Sequence, residues 1–388
     1  MLARIEFRTF RNLEPGSLEL PAGGTLVLGE NGAGKTSLLE AIYTLSTSRS
    51  FRARKLVDCI ARPGVRRHSN GPLGSEVAPP TVDEGAGDGE DEEVSGFRLA
   101  GETRDRQRLD LYFDGEQRRR RLNGEKVPLS RYLGVQPVIA WTVSDLDVLI
   151  GPPAARRRFM DRGVVALRPS SIDGIARYRR ALAEKRSLLQ QGCRARDLEP
   201  WNLVLAAAAA GLMERRFDYV RRLERTLDTV AELCELDLGS IDLAYRPSPK
   251  GGETGEEVII DRLEAEAERE IAAQVPLYGP HRDELRIRFR GAPVRDVASA
   301  GERKAIGLLL TAAHALLLEE ADIEPVFLLD DVDTELDEKR LLGLWRYFGR
   351  AGQLLATSNR PFVFRELPFN QRIHAVAGTF ESTRQGLR

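Results

Sequence analysis

Lys35 and Thr36 follow a turn spaced by glycines, Gly29-Glu30-Asn31-Gly32-Ala33-Gly34, and that order of residue types suits the holding of a polyphosphate. Glycines 29, 32 and 34 let the backbone curl so that successive N–H groups point inward at phosphate oxygens, and a helix N-terminus beneath them adds partial positive charge. Lys35 is then placed to reach the β- and γ-phosphates of ATP, and Thr36 to put its hydroxyl on Mg²⁺. With Ser37 these residues form the expected ATP-binding set, Gly29 through Ser37. Such a turn hydrolyses nothing alone, because the metal and the attacking water need carboxylates. Asp330 and Asp331 supply them at the end of Val326-Phe327-Leu328-Leu329. The four apolar residues predict a central strand, and open α/β sheets bind ligands at the carboxyl ends of their strands. Asp330 is expected in the Mg²⁺ shell, and Asp331 is expected, with Lys35, to be catalytic by facing the water.

Elements able to position these groups are legible around them. Leu26-Val27-Leu28 predicts a buried strand entering the turn, and Ser37-Leu38-Leu39-Glu40-Ala41-Ile42 a helix leaving it. The opening MLARIEFRTF alternates like a strand, with Pro21-Ala22-Gly23-Gly24 as a turn behind it. From about Gly64 to Gly96 the chain is rich in Gly, Pro, Ser and acids with almost no apolar residues, a composition that predicts a disordered insertion. Short strands are predicted at Phe97-Arg98-Leu99, Leu109 to Phe113 and Arg121 to Glu125, with a hairpin turn at Asn123-Gly124. From about Ile172 to Leu236 apolar residues recur at helical spacing, with breaks expected near Gly192 and Pro200 and no sustained heptads. Gly279 to Phe289 returns to a strand pattern, Ser299 to Leu318 reads as a helix, and Gln353 to Thr357 as another strand. The expected division is residues 1–165, a helical subdomain over 166–272, and 273–388.

Composition limits the function classes. At 388 residues with 42% hydrophobic and 30% charged residues the chain is ordinary for a soluble globular protein, and its net charge of −1 announces no global attraction to nucleic acid. Any such surface would be local, as in Arg118 to Arg121, Arg156 to Arg158, Arg215-Arg216 and Arg221-Arg222. Cysteines 59, 193 and 234 have neither metal-ligand spacing nor an even disulfide count, which suits a reducing cytosol. Apolar stretches are too short for a bilayer and the start lacks a secretion signal, so a cytoplasmic protein with no membrane partner is expected.

About thirty residues before Asp330, Ser299 heads a helix and Glu302 completes a capping box. In this position Ala298-Ser299-Ala300-Gly301-Glu302 resembles the signature sequence of ATP-binding-cassette (ABC) ATPases, and Thr334-Glu335-Leu336-Asp337 resembles the D-loop of that class. The resemblance implies that Ser299, Gly301 and Glu302 of one subunit meet the ATP of another, so that ATP binding drives homodimerisation.

Three further segments are similar to the RecF family: Phe10-Arg11-Asn12-Leu13 with the following GENGAGKTSLLEAIYTLSTSRSFR, the run from Gly151 through Arg156-Arg157-Arg158 to Asp161, and Tyr278 to Leu285. That resemblance implies an α/β, ABC-type ATPase head, a mixed sheet with a P-loop core plus an inserted helical subdomain and no long coiled coil. It further implies a slow DNA-stimulated ATPase that binds duplex and gapped DNA as an ATP-dependent dimer and acts with RecO and RecR to load RecA. Val143-Ser144-Asp145 departs from the family's Pro-Glu-Asp. Thr357-Ser358-Asn359 stands where transporters of the class carry a switch histidine, and Asp331 where the wider class has glutamate. The shorter carboxylate predicts slow turnover. Two rivals are a transporter nucleotide-binding subunit and a soluble head ATPase of a defence or toxin system.

Overall fold

The computed structural model of the protein describes residues 1–61, 96–248, 255–365 and 367–383. The stretch expected as a disordered insertion lies, but for Gly96, outside the described residues. Three sheets organise the rest. An antiparallel sheet is built from β1 (Leu2–Arg8), β2 (Gly16–Glu19), β4 (Phe97–Thr103), β5 (Arg108–Phe113), β6 (Arg118–Leu122) and β7 (Glu125–Lys126), in the order β2-β1-β4-β5-β6-β7. A mixed sheet takes β3 (Gly23–Leu28), β8 (Val138–Trp141), β12 (Val326–Leu329), β13 (Gln353–Ser358), β14 (Gln371–Val376) and β15 (Thr379–Thr383), in the order β15-β14-β3-β13-β12-β8. A small sheet joins β9 (Ile241–Arg246), β10 (Glu284–Phe289) and β11 (Ala292–Pro293), so its β9–β10 ladder straddles residue 273.

The mixed sheet is the centre because both of its faces are buried, as the unbroken apolar run of β12 requires. Phe327 and Leu329 face a core shared with the helix Ala300–Glu319, while Val326 and Leu328 face a second core. Leu38, Leu39, Ile42 and Leu45 of the helix Lys35–Thr47 fill that second core between the two six-stranded sheets. On the first side, Ala300–Glu319 passes so close to β8 that a Cβ on Gly307 would stand 2.2 Å from the Trp141 ring. Asn123-Gly124 turns with φ of +52° and +81°, the paired positive angles that make this dipeptide a hairpin signal.

Pro153–Leu167, Ser171–Gln191, Ala195–Leu233 and Glu256–Ala265 form the helical lobe. The break at Gly192 stands, with φ +79° just past the helix Ser171–Gln191. The expected break at Pro200 does not: a helix of 39 residues, roughly 58 Å long at 1.5 Å per residue, runs through it. The proline lies near the start of that helix, and Leu198, Leu205, Ala206 and Ala209 on either side stay buried, so packing outweighs one missing N–H. The helix lies along its neighbours as part of the lobe, and the described residues contain no long coiled coil. The strand expected over Gly279–Phe289 begins only at Glu284, because Gly279 at φ +124° and Pro280 make a short 3₁₀ turn first.

Candidate ATP site

The phosphate-binding turn joins β3 to the helix Lys35–Thr47 and is built tightly on one side. A Cβ on Gly29 would come within 2.5 Å of the Ala375 carbonyl on β14, and Gly34, at φ +106°, sits at the helix N-cap. Gly378 N donates to Ala33 O at 3.0 Å, so the β14–β15 turn backs the loop. Asn12 braces it from the other side: its Nδ2 donates to Gly32 O at 2.8 Å, and Ser37 Oγ donates to its Oδ1 at 2.7 Å. The Ser37 hydroxyl is therefore committed to the loop's support. Arg11 holds the buried Glu40 of the same helix through Nε and Nη2 at 2.9 and 2.7 Å. Burial, then the Glu40 charge, pushes the neighbouring Cys59 thiol up to about 12, so it stays neutral beside that carboxylate.

Lys35 Nζ donates to Gly29 O at 2.8 Å and Glu30 O at 3.1 Å, which holds its ammonium in the curl of the loop. Thr36 Oγ1 donates to Asp330 Oδ1 at 2.9 Å, joining residues 294 apart in the chain. Thr357 Oγ1, at the end of β13, donates to the same Oδ1 at 2.8 Å and accepts from Asp331 N at 2.9 Å. Burial raises the Asp330 carboxyl above its ordinary range, and the Thr357 hydrogen bond opposes this. Asp331 takes the left-handed conformation, φ +45°, which bends the chain away from β12 immediately after Asp330. Its carbonyl accepts from Lys304 Nζ at 2.9 Å, and Lys304 also donates to Thr334 O and Oγ1, both at 2.6 Å. A lysine of the helix Ala300–Glu319 thus ties that helix to the turn carrying both carboxylates.

Ser299 caps that helix, receiving Glu302 N at 3.3 Å while its own N–H donates to Glu302 Oε2 at 2.9 Å. The Ser299 N–H and hydroxyl, both donating to Glu302 Oε2 at 2.9 Å, hold the Glu302 carboxyl below its usual range. Gly301 lies against the D-loop segment, where a Cβ would stand 3.1 Å from Glu335 O. Among the described residues no hydrogen bond or ion pair joins Ser299, Gly301 or Glu302 to residues 29–37 of the same chain. The structure therefore assembles one group from the turn, Asp330 and Asp331, and holds the Ser299 segment apart, with Ser299 exposed.

The other two family-like segments interlock. Arg156 pairs with Glu284 at 2.5 Å, and Arg157 Nη1 donates to Asp283 O at 3.1 Å. The buried Arg216 joins Asp161 at 2.7 Å, Asp283 at 2.8 Å and Pro280 O at 2.7 Å. Asp283 also accepts from the Tyr245 hydroxyl and from Ser248 N. His281, pushed down to about 4 by burial, is neutral; Nε2–H donates to Pro276 O, so Nδ1 accepts the Tyr178 hydroxyl at 2.7 Å. Three arginines of the sequence clusters, the half-buried Arg156 and Arg157 and the buried Arg216, are thereby bonded to the protein's own groups. Asp145, in the segment that departs from the family, accepts from Thr142 N at 2.9 Å and from Arg162 at 3.0 Å. The sequence alone gives Thr357 and Asn12 no role and does not single out Lys304. A Thr at the end of the strand beside the acidic one was the available signal for the first.

A family model described as RecF/RecN/SMC N terminal domain matches residues 1–381. The DNA replication and repair protein RecF of Acidothermus cellulolyticus is 32% identical over 372 residues, which cover 92% of this chain and 93% of that protein. The chain belongs to the RecF family. RecF of Moorella thermoacetica is a further relative, 30% identical over 92% of the chain and 88% of its own length. In shape, the chain is similar to a solved structure of the recombination mediator protein RecF with ATP in the RecFOR pathway. That match has TM-score 0.81 and 23% identity and covers 98% of this chain and 97% of the other. An Smc head bound to the C-winged helix domain of ScpA is similar at TM-score 0.53 and 15% identity, over 100% and 98% of the two chains. At such identities these two likenesses speak for the fold, an ABC-type head, and RecF-family membership rests on the sequence relatives.

Proposed function

We propose that the chain is an ATP-dependent DNA-binding protein of replication and recombinational repair, whose heads close in pairs on ATP and hold gapped single-strand to double-strand junctions. With RecO and RecR it helps load RecA, working in the cytoplasm. The observation that carries this is the meeting of Thr36 and Asp330 at 2.9 Å beside Lys35 in a chain of the RecF family. Among the described residues no helix is long and apolar enough to cross a membrane, and family membership disfavours both the transporter and the defence-system readings.

Each site residue has a role in this reading. Lys35 exchanges the Gly29 and Glu30 carbonyls for phosphate oxygens, and the N–H groups of Gly29 through Ser37 cradle them. Thr36 and Asp330 form an oxygen pair suited to Mg²⁺, and no group of three or more His, Cys, Asp or Glu among the described residues offers a full protein shell. Such partial protein ligation, completed by phosphate and water, is how Mg²⁺ is usually held. Held by Thr36 and Asp330, such an ion would offset the negative charge of the phosphates. Asp331 receives the water's proton, and its short side chain favours slow hydrolysis. Ser299, Gly301 and Glu302 serve the ATP of the partner subunit.

The test is Ser299→Arg, followed by light scattering. As a helix cap alone, the serine is worth about 1 kcal/mol of stability and its loss leaves assembly untouched. As a ligand across the seam, its replacement leaves a folded monomer that binds ATP through Lys35, while ATP-driven dimerisation, hydrolysis and DNA binding vanish together. A normal ATP-induced dimer in this variant would overturn the proposed sandwich.

A further inference from the structure

The small sheet presents an outer face whose arginines no other described residue pairs with. β10 turns Leu285, Ile287 and Phe289 inward and leaves Glu284, Arg286 and Arg288 on the other side; β9 sets Arg246, Ala244 and Asp242 opposite those three in register. Glu284 stands across from Arg246, but its carboxylate is held by Arg156 at 2.5 and 3.2 Å. Asp242 stands across from Arg288 without forming an ion pair. Among the described residues Arg246, Arg286 and Arg288, all exposed, make no ion pair and no side-chain hydrogen bond. With Asp242 and Ala244 they line a basin of about 340 Å³.

Like charges on one sheet face repel. Arg286 and Arg288, two residues apart on one strand, stand about 7 Å from each other, a spacing of the same order as successive phosphates along a nucleic-acid strand. A guanidinium presents a planar fork that fits a phosphate at each step. The basin contains no aromatic ring and no apolar group beyond Ala244, so it offers neither a stacking platform for bases nor an anchor for an apolar peptide side chain. The arginine run of β6 is a weaker candidate, because Arg118 donates to Ser48 O at 3.0 Å and Arg120 to Ser48 Oγ at 3.3 Å, where they cap the C-terminal end of the helix Lys35–Thr47.

We propose that the β9–β10 face is a sequence-independent contact for the phosphate backbone of duplex DNA, with Arg246, Arg286 and Arg288 as its cations. This rests on the reading of the chain as a DNA-binding ATPase and gives that reading a surface. The same strand reaches the signature segment: Arg290, just past β10, pairs with Glu302 at 3.0 Å, and Glu302 is bonded to Ser299. DNA on the face thus pulls on a strand attached to the residues proposed to meet the partner's ATP.

The experiment compares the full-length parent with Arg286→Gln/Arg288→Gln, measuring affinity for a fluorescent 30-base-pair duplex with ATP across a salt series. Each lost phosphate contact lowers the slope of log K against log salt by about 0.9, so the double variant should flatten it by about 1.8. ATP binding and circular dichroism should stay at parent values, and Arg286→Lys/Arg288→Lys, which keeps the charge, should keep most of the slope. A double glutamine variant with the parent's slope and affinity would overturn the assignment while leaving DNA binding itself intact. So would displacement of a poly-glutamate peptide by the substitution with no change in duplex binding, since the face would then serve an acidic protein segment. A parent that binds no duplex in any nucleotide state would overturn the functional reading, and this surface with it.

Discussion

In the ATP site, among the described residues, the Lys35 ammonium donates only to the carbonyls of Gly29 and Glu30, and the Asp330 carboxylate accepts only from the hydroxyls of Thr36 and Thr357. In the helical lobe, Arg216 is closed by Asp161 and Asp283, and Arg156 by Glu284. Both regions bury charge, yet one supplies dipoles and the other counter-charges. A buried ion without a counter-ion is costly, and dipoles offset only part of that cost. A region that stops at dipoles has its counter-charge provided by something else, and phosphates with Mg²⁺ fit that description for Lys35 and Asp330. A region closed by its own ions is complete, and its product is a fixed geometry. The segment around Arg156 and the Asp283 turn hold each other, and through β10 they fix the approach to the Ser299 segment.

This contrast is sharpened by removing one charge from each region. Arg216→Ala should have the largest effect, about 3–5 kcal/mol of stability in urea denaturation, because it leaves the fully buried Asp283 without its ion-pair partner and Asp161 with Arg179 alone. Lys35→Ala should lower ATP affinity by roughly 3 kcal/mol, a hundredfold or more, through the loss of charge-assisted bonds to phosphate, as read by calorimetry. Its stability should change far less than that of the Arg216 variant. Equal destabilisation by the two substitutions would break the comparison.

The parts of the site that sequence made legible are those whose signal is local. The glycine spacing before Lys35-Thr36, the apolar run into Asp330, and Ser299 with Glu302 three residues on each carry their physics within a few positions. Thr357 was not assigned because its role comes from register: β12 and β13 run parallel with Leu329 beside Ala356, which brings the next residues, Asp330 and Thr357, together. Lys304 lies on a helix that is buried almost all round, and only the fold shows that its ammonium ends on the Asp331 turn. Arginine clusters were the least legible feature. Adjacent arginines in the sequence suggest a DNA surface, yet Arg156, Arg157 and the buried Arg216 are bonded to the protein's own groups, whereas the unpaired set on the small sheet comes from two strands some forty residues apart. Pro200 shows the limit of a strong local signal, since the packing of a long helix carried the chain through it.

The smallest expected effect has the opposite sign from the others. Asp330→Asn replaces a carboxylate by an amide whose oxygen can still accept from Thr36 and Thr357, so the hydrogen bonds survive and the half-buried charge is gone. Because burial raises the Asp330 carboxyl in the folded protein, the unfolded chain releases this proton at lower pH than the folded one does. The carboxylate therefore costs nothing below its unfolded range, where both states are protonated, and its cost grows as pH rises through the folded value. The variant should be more stable than the parent at neutral pH by about 0.5–2 kcal/mol, the usual gain when a functional strain is relieved. That advantage should shrink as pH falls below the ordinary carboxylate range, and Mg²⁺-dependent ATP hydrolysis should be lost throughout. Thermal unfolding of both proteins across a pH series decides it. A variant less stable than the parent at neutral pH would mean that the carboxylate is already compensated by the protein, and the distinction between an ATP site lacking its counter-charge and a lobe that contains its own would fail at the residue where it is drawn most sharply.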